Sequence, residues 1–186
     1  GSTDNSLHMI LDYTKKNKFI KLINFSRNFG HQIAITAGIN SSSGDYIAII
    51  DADLQDPPEL IDEMINSLIK QKVDVIYGKR SIRKGESLFK KLSAKIYYRL
   101  INKMTDFDIP TDTGDFRVIT KKVVKELRLL SEHHRFVRGL IPWIGFKSKP
   151  FYYERDKRYA GVTHYPFKKM IAFALNSIFS FSTKPI

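Results

Sequence analysis

The chain has 186 residues, 42% hydrophobic and 27% charged, with no cysteine. This excludes a disordered chain, disulfides and thiolate metal sites, and the length suits one globular domain. The formal charge of +12 is uneven: residues 121–186 hold 14 Lys/Arg against 4 Asp/Glu, residues 1–120 hold 17 against 15. A basic last third predicts a surface facing something anionic, and charge alone leaves nucleic acid, a membrane leaflet and a polyphosphate ligand equally open.

In chain order, GSTDNS at 1–6 is turn chemistry leading into a helix. Phe19 to Phe25 reads as a strand, with a helix over Gln32 to Ile39 packed against it. Tyr46 to Ile50 (YIAII) is a continuous apolar run, as expected of a strand buried on both faces. Pro57 and Pro58 open a helix, with Asp56 as its cap. Leu60, Ile61, Met64, Ile65, Leu68 and Ile69 follow its helical period. Val73 to Tyr77 is the next strand. This alternation predicts an α/β fold with a mainly parallel, doubly wound sheet. Further on, Ser87 to Met104 reads as a helix, Asp115 to Ile119 as a strand and Lys121 to Leu130 as a helix. Lys147 to Glu154 reads as an edge strand, and Tyr165 to Phe181 as an amphipathic helix. No apolar run reaches the roughly 20 residues of a membrane-spanning helix.

Four segments carry candidate chemistry. Asp51, Asp53 and Gln55, in DADLQD directly after YIAII, stand where open α/β sheets bind ligands. Two acids at i and i+2 can both approach one hard cation, Mg²⁺ or Mn²⁺, that keeps positions open for diphosphate oxygens. The plainer reading is a solvated, helix-capping loop. Asp115 and Arg117, in TGDFR, suit a base or positioning group with an arginine that orients it or binds phosphate; an ordinary surface ion pair is the alternative. Arg158 precedes Ala160 and Gly161 in a basic loop able to close over a leaving diphosphate or simply to be solvated. Arg135 and Arg138, interleaved with Phe136, Leu140, Ile141 and Trp143, fit either a bilayer headgroup region or an amphipathic helix with its apolar side in the core.

Taken together, GSTDNS, INFSRNFGHQIAITAGI, GDYIAIIDADLQDPPE, KGESLFKKLSAKIYYRLI, DTGDFRVI, HRFVRGLIPWIGFK, RYAGVTHYPFKKM and SFSTKPI resemble the polyisoprenyl-phosphate glycosyltransferases. That family includes bactoprenol glucosyltransferases and, more distantly, dolichol-phosphate mannosyltransferases. The resemblance covers nearly the whole chain. It implies a GT-A type fold with a catalytic domain over 1–164 and an amphipathic juxtamembrane segment over 165–186. It implies inverting transfer of a hexose, glucose from UDP-glucose, to a polyprenyl phosphate at the cytoplasmic face of the cell membrane. Asp115 would be the catalytic aspartate, and Asp51, Arg27, Gly30, Arg80 and Arg158 would bind the nucleotide-sugar. Asp53 and Gln55 would hold Mg²⁺ or Mn²⁺, while Arg117, Arg135 and Arg138 would meet the acceptor or its phosphate. An anionic membrane surface and a second copy of the chain are further expected partners, and nucleic acid is not.

The family pattern also has a strand before GSTDNS and transmembrane helices after SFSTKPI, so the chain reads as an excerpt. His164 stands where relatives tend to carry Lys. Two rival readings remain: transfer from GDP-mannose or to a polysaccharide acceptor, and a basic nucleic-acid-binding module without catalysis.

Overall fold

The computed structural model describes residues 1–81, 110, 113–131 and 135–154. The helices expected over Ser87 to Met104 and Tyr165 to Phe181, and the boundary at 165, lie outside the described residues. Contacts divide the chain into two units, Gly1–Ser42 and Ser43–Ile186.

The first unit holds α1 (Ser6–Lys16) and α2 (His31–Ser41). Lys15 and Lys16 in the last turn of α1 complement the helix dipole. The strand expected over Phe19 to Phe25 does not form: the segment is irregular, and Phe19 is largely exposed. A strand needs a neighbour for its backbone donors and acceptors, and every described strand belongs to the second unit.

The second unit is built on four strands: β1 (Tyr46–Ile49), β2 (Val75–Arg80), β3 (Thr113–Thr120) and β4 (Ser148–Tyr153), in the order β1-β3-β2-β4. Pro58–Leu60 forms a 3₁₀ turn into α3 (Ile61–Gln71), while α4 (Lys121–Leu129) follows β3 and α5 (Val137–Trp143) precedes β4. β2 and β4 pair in parallel, while β3 runs antiparallel to both β1 and β2. Three strands share one direction, but β3 is reversed and inserted between two of them, so two of the three described ladders are antiparallel and the α/β sheet is mixed rather than mainly parallel. Strand–helix alternation does not reveal such an insertion, because β3 follows a long intervening segment. β4 is the edge strand the sequence suggests. β1 is the other edge and alternates between exposed and half-buried residues, so the expected burial on both faces is not found there. That burial belongs to the central β3, buried from Thr113 to Ile119.

Alternation along β3 separates two environments. Phe116 and Val118 join Ile76, Val73 and Tyr153 against Met64 and Leu68 of α3, a fully apolar layer apart from the tyrosine hydroxyl. Asp115, Arg117 and Ile119 take the opposite face. The buried Val123, Val124 and Leu127 of α4 and Leu140 and Ile141 of α5 stand outside the α3 cluster. Each fully buried side chain of this size contributes about 1.5–3 kcal/mol.

Gly78 lies where the rings of Phe116 and Tyr153 meet edge to face at 5.4 Å between centroids. A Cβ there would sit 2.8 Å from Tyr153 and 3.0 Å from Phe116. Gly78→Ala is therefore expected to overpack the layer and destabilise the protein by about 1–3 kcal/mol in urea unfolding. Gly114→Ala, whose Cβ would meet the flexible end of Arg80 at 3.2 Å, is expected to cost clearly less.

Candidate active site

β1 pairs with β3 so that Tyr46 faces Thr120 and Ile49 faces Arg117. Extending that register by two residues sets Asp51 opposite Asp115. Directly opposed residues share a face of the sheet, and carboxylate oxygens of Asp51 and Asp115 lie within 4.8 Å of one another. Two segments more than sixty residues apart thus bring their acids together where β1, β2 and β4 end and β3 begins, the end at which open α/β sheets bind ligands.

The loop after β1 keeps the strand's alternation. Asp51, Asp53 and Gln55 are half-buried, whereas Ala52 and Leu54 are exposed. Asp53 Oδ1 accepts a hydrogen bond from the Gln55 backbone N–H at 3.2 Å, and Leu54 makes the turn with a φ of 58°, a conformation costly for a γ-branched residue. Asp56 behaves differently from the expected helix cap. The cap position of the 3₁₀ turn is Pro57, with no side-chain cap hydrogen bond, and Asp56 is 1% exposed. Its Oδ1 accepts from the Tyr153 hydroxyl at 2.5 Å. Burial, then the hydrogen bond to Asp56 and its charge, push the Tyr153 phenol up to about 12, with Arg80 opposing.

Asp115 is 3% exposed and faces two guanidinium groups. Arg138 Nη2 donates to Oδ2 at 2.7 Å, with Nε to Oδ1 at 3.4 Å. Arg117 Nη2 stands 3.9 Å from Oδ1, while its Nε and Nη2 donate to the backbone carbonyls of Asp115 and Gly114 at 3.2 and 2.9 Å. Arg117, expected to meet the acceptor, is folded onto its own strand at 3% exposure and braces Asp115. Arg138 serves the same carboxylate. Arg135 donates to the Leu130 carbonyl at the C-terminal end of α4, which ties down that end as a basic side chain commonly does. Around these arginines, Phe136, Val137, Leu140 and Ile141 are buried and only Trp143 is half exposed, so most of the apolar residues on α5 serve the core.

Arg80, at the end of β2, has its Nη2 over Gly114, and its buried Nε has no hydrogen-bond partner among the described residues. In the first unit, Gly30 takes a φ of 90° at the cap of α2, and its N–H donates to Asn28 Oδ1 at 2.8 Å. The Arg27 guanidinium stacks over Phe29 at 4.0 Å. Arg158 lies outside the described residues. Sequence reasoning missed Tyr153, whose available signal was a tyrosine pair in an edge strand: period 2 buries one ring, and a buried hydroxyl needs a partner.

Among the described residues no helix is long and apolar enough to cross a membrane. Residues 1–128 match the family described as Glycosyl transferase family 2. Over its whole length the chain is 51% identical to the uncharacterized glycosyltransferase YkcC of Bacillus subtilis, covering 57% of that protein. It is 42% identical to an uncharacterized glycosyltransferase of Synechocystis, covering 58%. It is 34% identical to the bactoprenol glucosyl transferase of Shigella phage SfV, covering 60%. The chain thus spans little more than half the length of these relatives.

Two measurements test the site's internal bonding. The fold favours the neutral Tyr153 phenol, so its contribution is complete below the free tyrosine value near 10 and is lost as pH rises toward 12. Wild-type unfolding free energy is expected to fall by about 1.4 kcal/mol per pH unit in that window beyond the fall seen in Tyr153→Phe. Arg138→Ala removes the 2.7 Å charged hydrogen bond to Asp115 and is expected to cost about 1.5–3 kcal/mol by denaturant unfolding.

Proposed function

Because the chain belongs to glycosyl transferase family 2, we propose that it carries the catalytic machinery of an inverting, metal-dependent glycosyltransferase. The enzyme moves a hexose, glucose from UDP-glucose, to a polyprenyl phosphate at the cytoplasmic face of the cell membrane. The observation that carries the reading is the meeting of Asp51 and Asp115 within 4.8 Å at the ligand-binding end of the sheet. The name of the bactoprenol glucosyl transferase relative supports the acceptor and the sugar.

The donor set fits a hard cation: Asp51 and Asp53 offer carboxylate oxygens and Gln55 an amide oxygen, all half-buried in one loop. Mg²⁺ or Mn²⁺ held by Asp53 and Gln55 would supply positive charge against the donor's diphosphate. Asp51 contacts the nucleotide-sugar beside that site. An acceptor phosphate oxygen bonds to the anomeric carbon as the bond to the diphosphate breaks on the opposite side, leaving the electron pair on the departing nucleoside diphosphate. Arg80 and Arg158 serve its phosphates. A phosphate monoester has its second pKa near ~6 and is already ionised at neutral pH, so no strong base is required. Asp115, ion-paired to Arg138 at 2.7 Å, is suited to orienting sugar or acceptor. The exposed lysines of the basic last third suit an anionic membrane surface.

With full-length enzyme, UDP-glucose and a detergent-dispersed polyprenyl phosphate, turnover is expected to vanish in EDTA and return with Mn²⁺. Asp53→Ala is expected to lose about 100-fold or more in kcat/KM, the scale of losing one electrostatic stabiliser. Metal-independent turnover, or Asp53→Ala at wild-type rate, overturns the metal site. Turnover only with GDP-mannose or with a free oligosaccharide reassigns donor or acceptor.

A further inference from the structure

We propose that Tyr153 is a positioning residue whose hydroxyl holds Asp56 and so fixes the loop that presents Asp51, Asp53 and Gln55, a role resting on the donor site proposed above. The tyrosine is anchored at every level. Its backbone faces Arg80 in the parallel β2–β4 ladder, and its carbonyl accepts from both the backbone N–H and the hydroxyl of Ser81, at 2.9 and 2.8 Å. Its ring is 4% exposed and lies edge to face against Phe116 over Gly78. From that fixed base the hydroxyl reaches Asp56, 97 positions away in sequence.

The loop has need of such an anchor. It leaves β1, whose partner among the described residues is β3, and it turns through Leu54 in a left-handed conformation with the side chain in solvent. Asp56 closes the loop just before the 3₁₀ turn, so a bond there fixes its far end, while the β1–β3 ladder fixes its near end. Tyr153 stands opposite Arg80 where β2 and β4 end, so a single side chain ties the acid loop to the ends of both strands. Partners of this kind tune metal affinity without touching the metal.

Tyr153→Phe keeps the ring and removes only the oxygen. Hydrogen exchange on the metal-free protein is expected to quicken at residues 53–56 by about 5- to 10-fold, the factor one lost hydrogen bond carries. Mn²⁺ affinity, read by EPR titration with UDP-glucose present, is expected to weaken by about 10- to 100-fold, and the donor KM to rise more than kcat falls. Leu127→Ala in α4, buried away from this cluster, lowers the melting temperature and is expected to leave both readouts near wild type. Should Tyr153→Phe fail to fold, the double variant Tyr153→Phe/Asp56→Leu, which leaves no orphaned carboxylate, must show the same faster exchange at 53–55. Unchanged exchange in the tyrosine variants, or equal changes in Leu127→Ala, overturns the positioning role. A wild-type protein that ignores Mn²⁺ overturns the donor-site reading instead, and the exchange result still decides whether Tyr153 fixes the loop.

Discussion

The antiparallel pairing of β1 with β3 is the constraint on which the site depends. Its register sets Asp51 against Asp115, and the two-residue period of a strand then decides which face both occupy. A slip of one residue would turn Asp115 toward Met64, Leu68 and the rest of the α3 layer, where an ion has no partner, and would bring Phe116 or Gly114 to the site. The apolar contacts of Phe116 and Val118 therefore fix the geometry of two carboxylates they never touch. Packing and chemistry share one strand, and each makes the other's register costly to change.

Burial of charge follows from the same arrangement. Asp115 sits in the interior with Arg138 on one oxygen and Arg117 close to the other. Apolar residues of similar volume would stabilise such a position at least as well as an ion pair does. Fold stability thus gives no reason for charge there. Asp56 poses the same question and answers it differently: its carboxylate is taken up by Tyr153, and what it contributes is the fixed end of a loop.

Much of this was legible in the sequence. Period and composition gave α2, α3, α4 and the edge position of β4, and the placement of DADLQD after a strand marked the acid loop. Family membership and the α/β fold follow from blocks of residues that keep their order along the chain. What was not legible depends on partners distant in sequence. YIAII looks like a central strand because it is uniformly apolar, yet among the described residues it has one neighbour; local composition does not report the number of neighbours. FIKLINF has the residues of a strand, yet among the described residues no strand pairs with it. In the sequence, Arg117 reads as orienting Asp115 or binding phosphate, and Arg135 and Arg138 as facing an acceptor or belonging to a core-packed helix, because arginine serves each of these purposes. In the fold, three of these guanidinium groups bond to the chain itself, and no spacing rule reveals which donors a fold will use internally.

That last point changes the meaning of the basic last third. With Arg135 bonded to the end of α4 and Arg138 to Asp115, much of the charge that the described part of this region offers an external partner is carried by lysines, and Lys121, Lys122, Lys125, Lys147 and Lys149 are exposed. Among the described residues, Lys121 pairs with Asp45 at 3.9 Å on the surface, a contact of a kind worth little in water. Lysine is a hydrated point charge on a flexible stem, adapted to long-range attraction rather than to fixed geometry. Among the described residues the two basic types thus divide the work: Arg117 and Arg138 hold the buried Asp115, and the exposed lysines provide a field that acts without defined contacts. That division lets a chain of charge +12 keep Asp115 buried between its own guanidinium groups while the lysine charge stays at the surface.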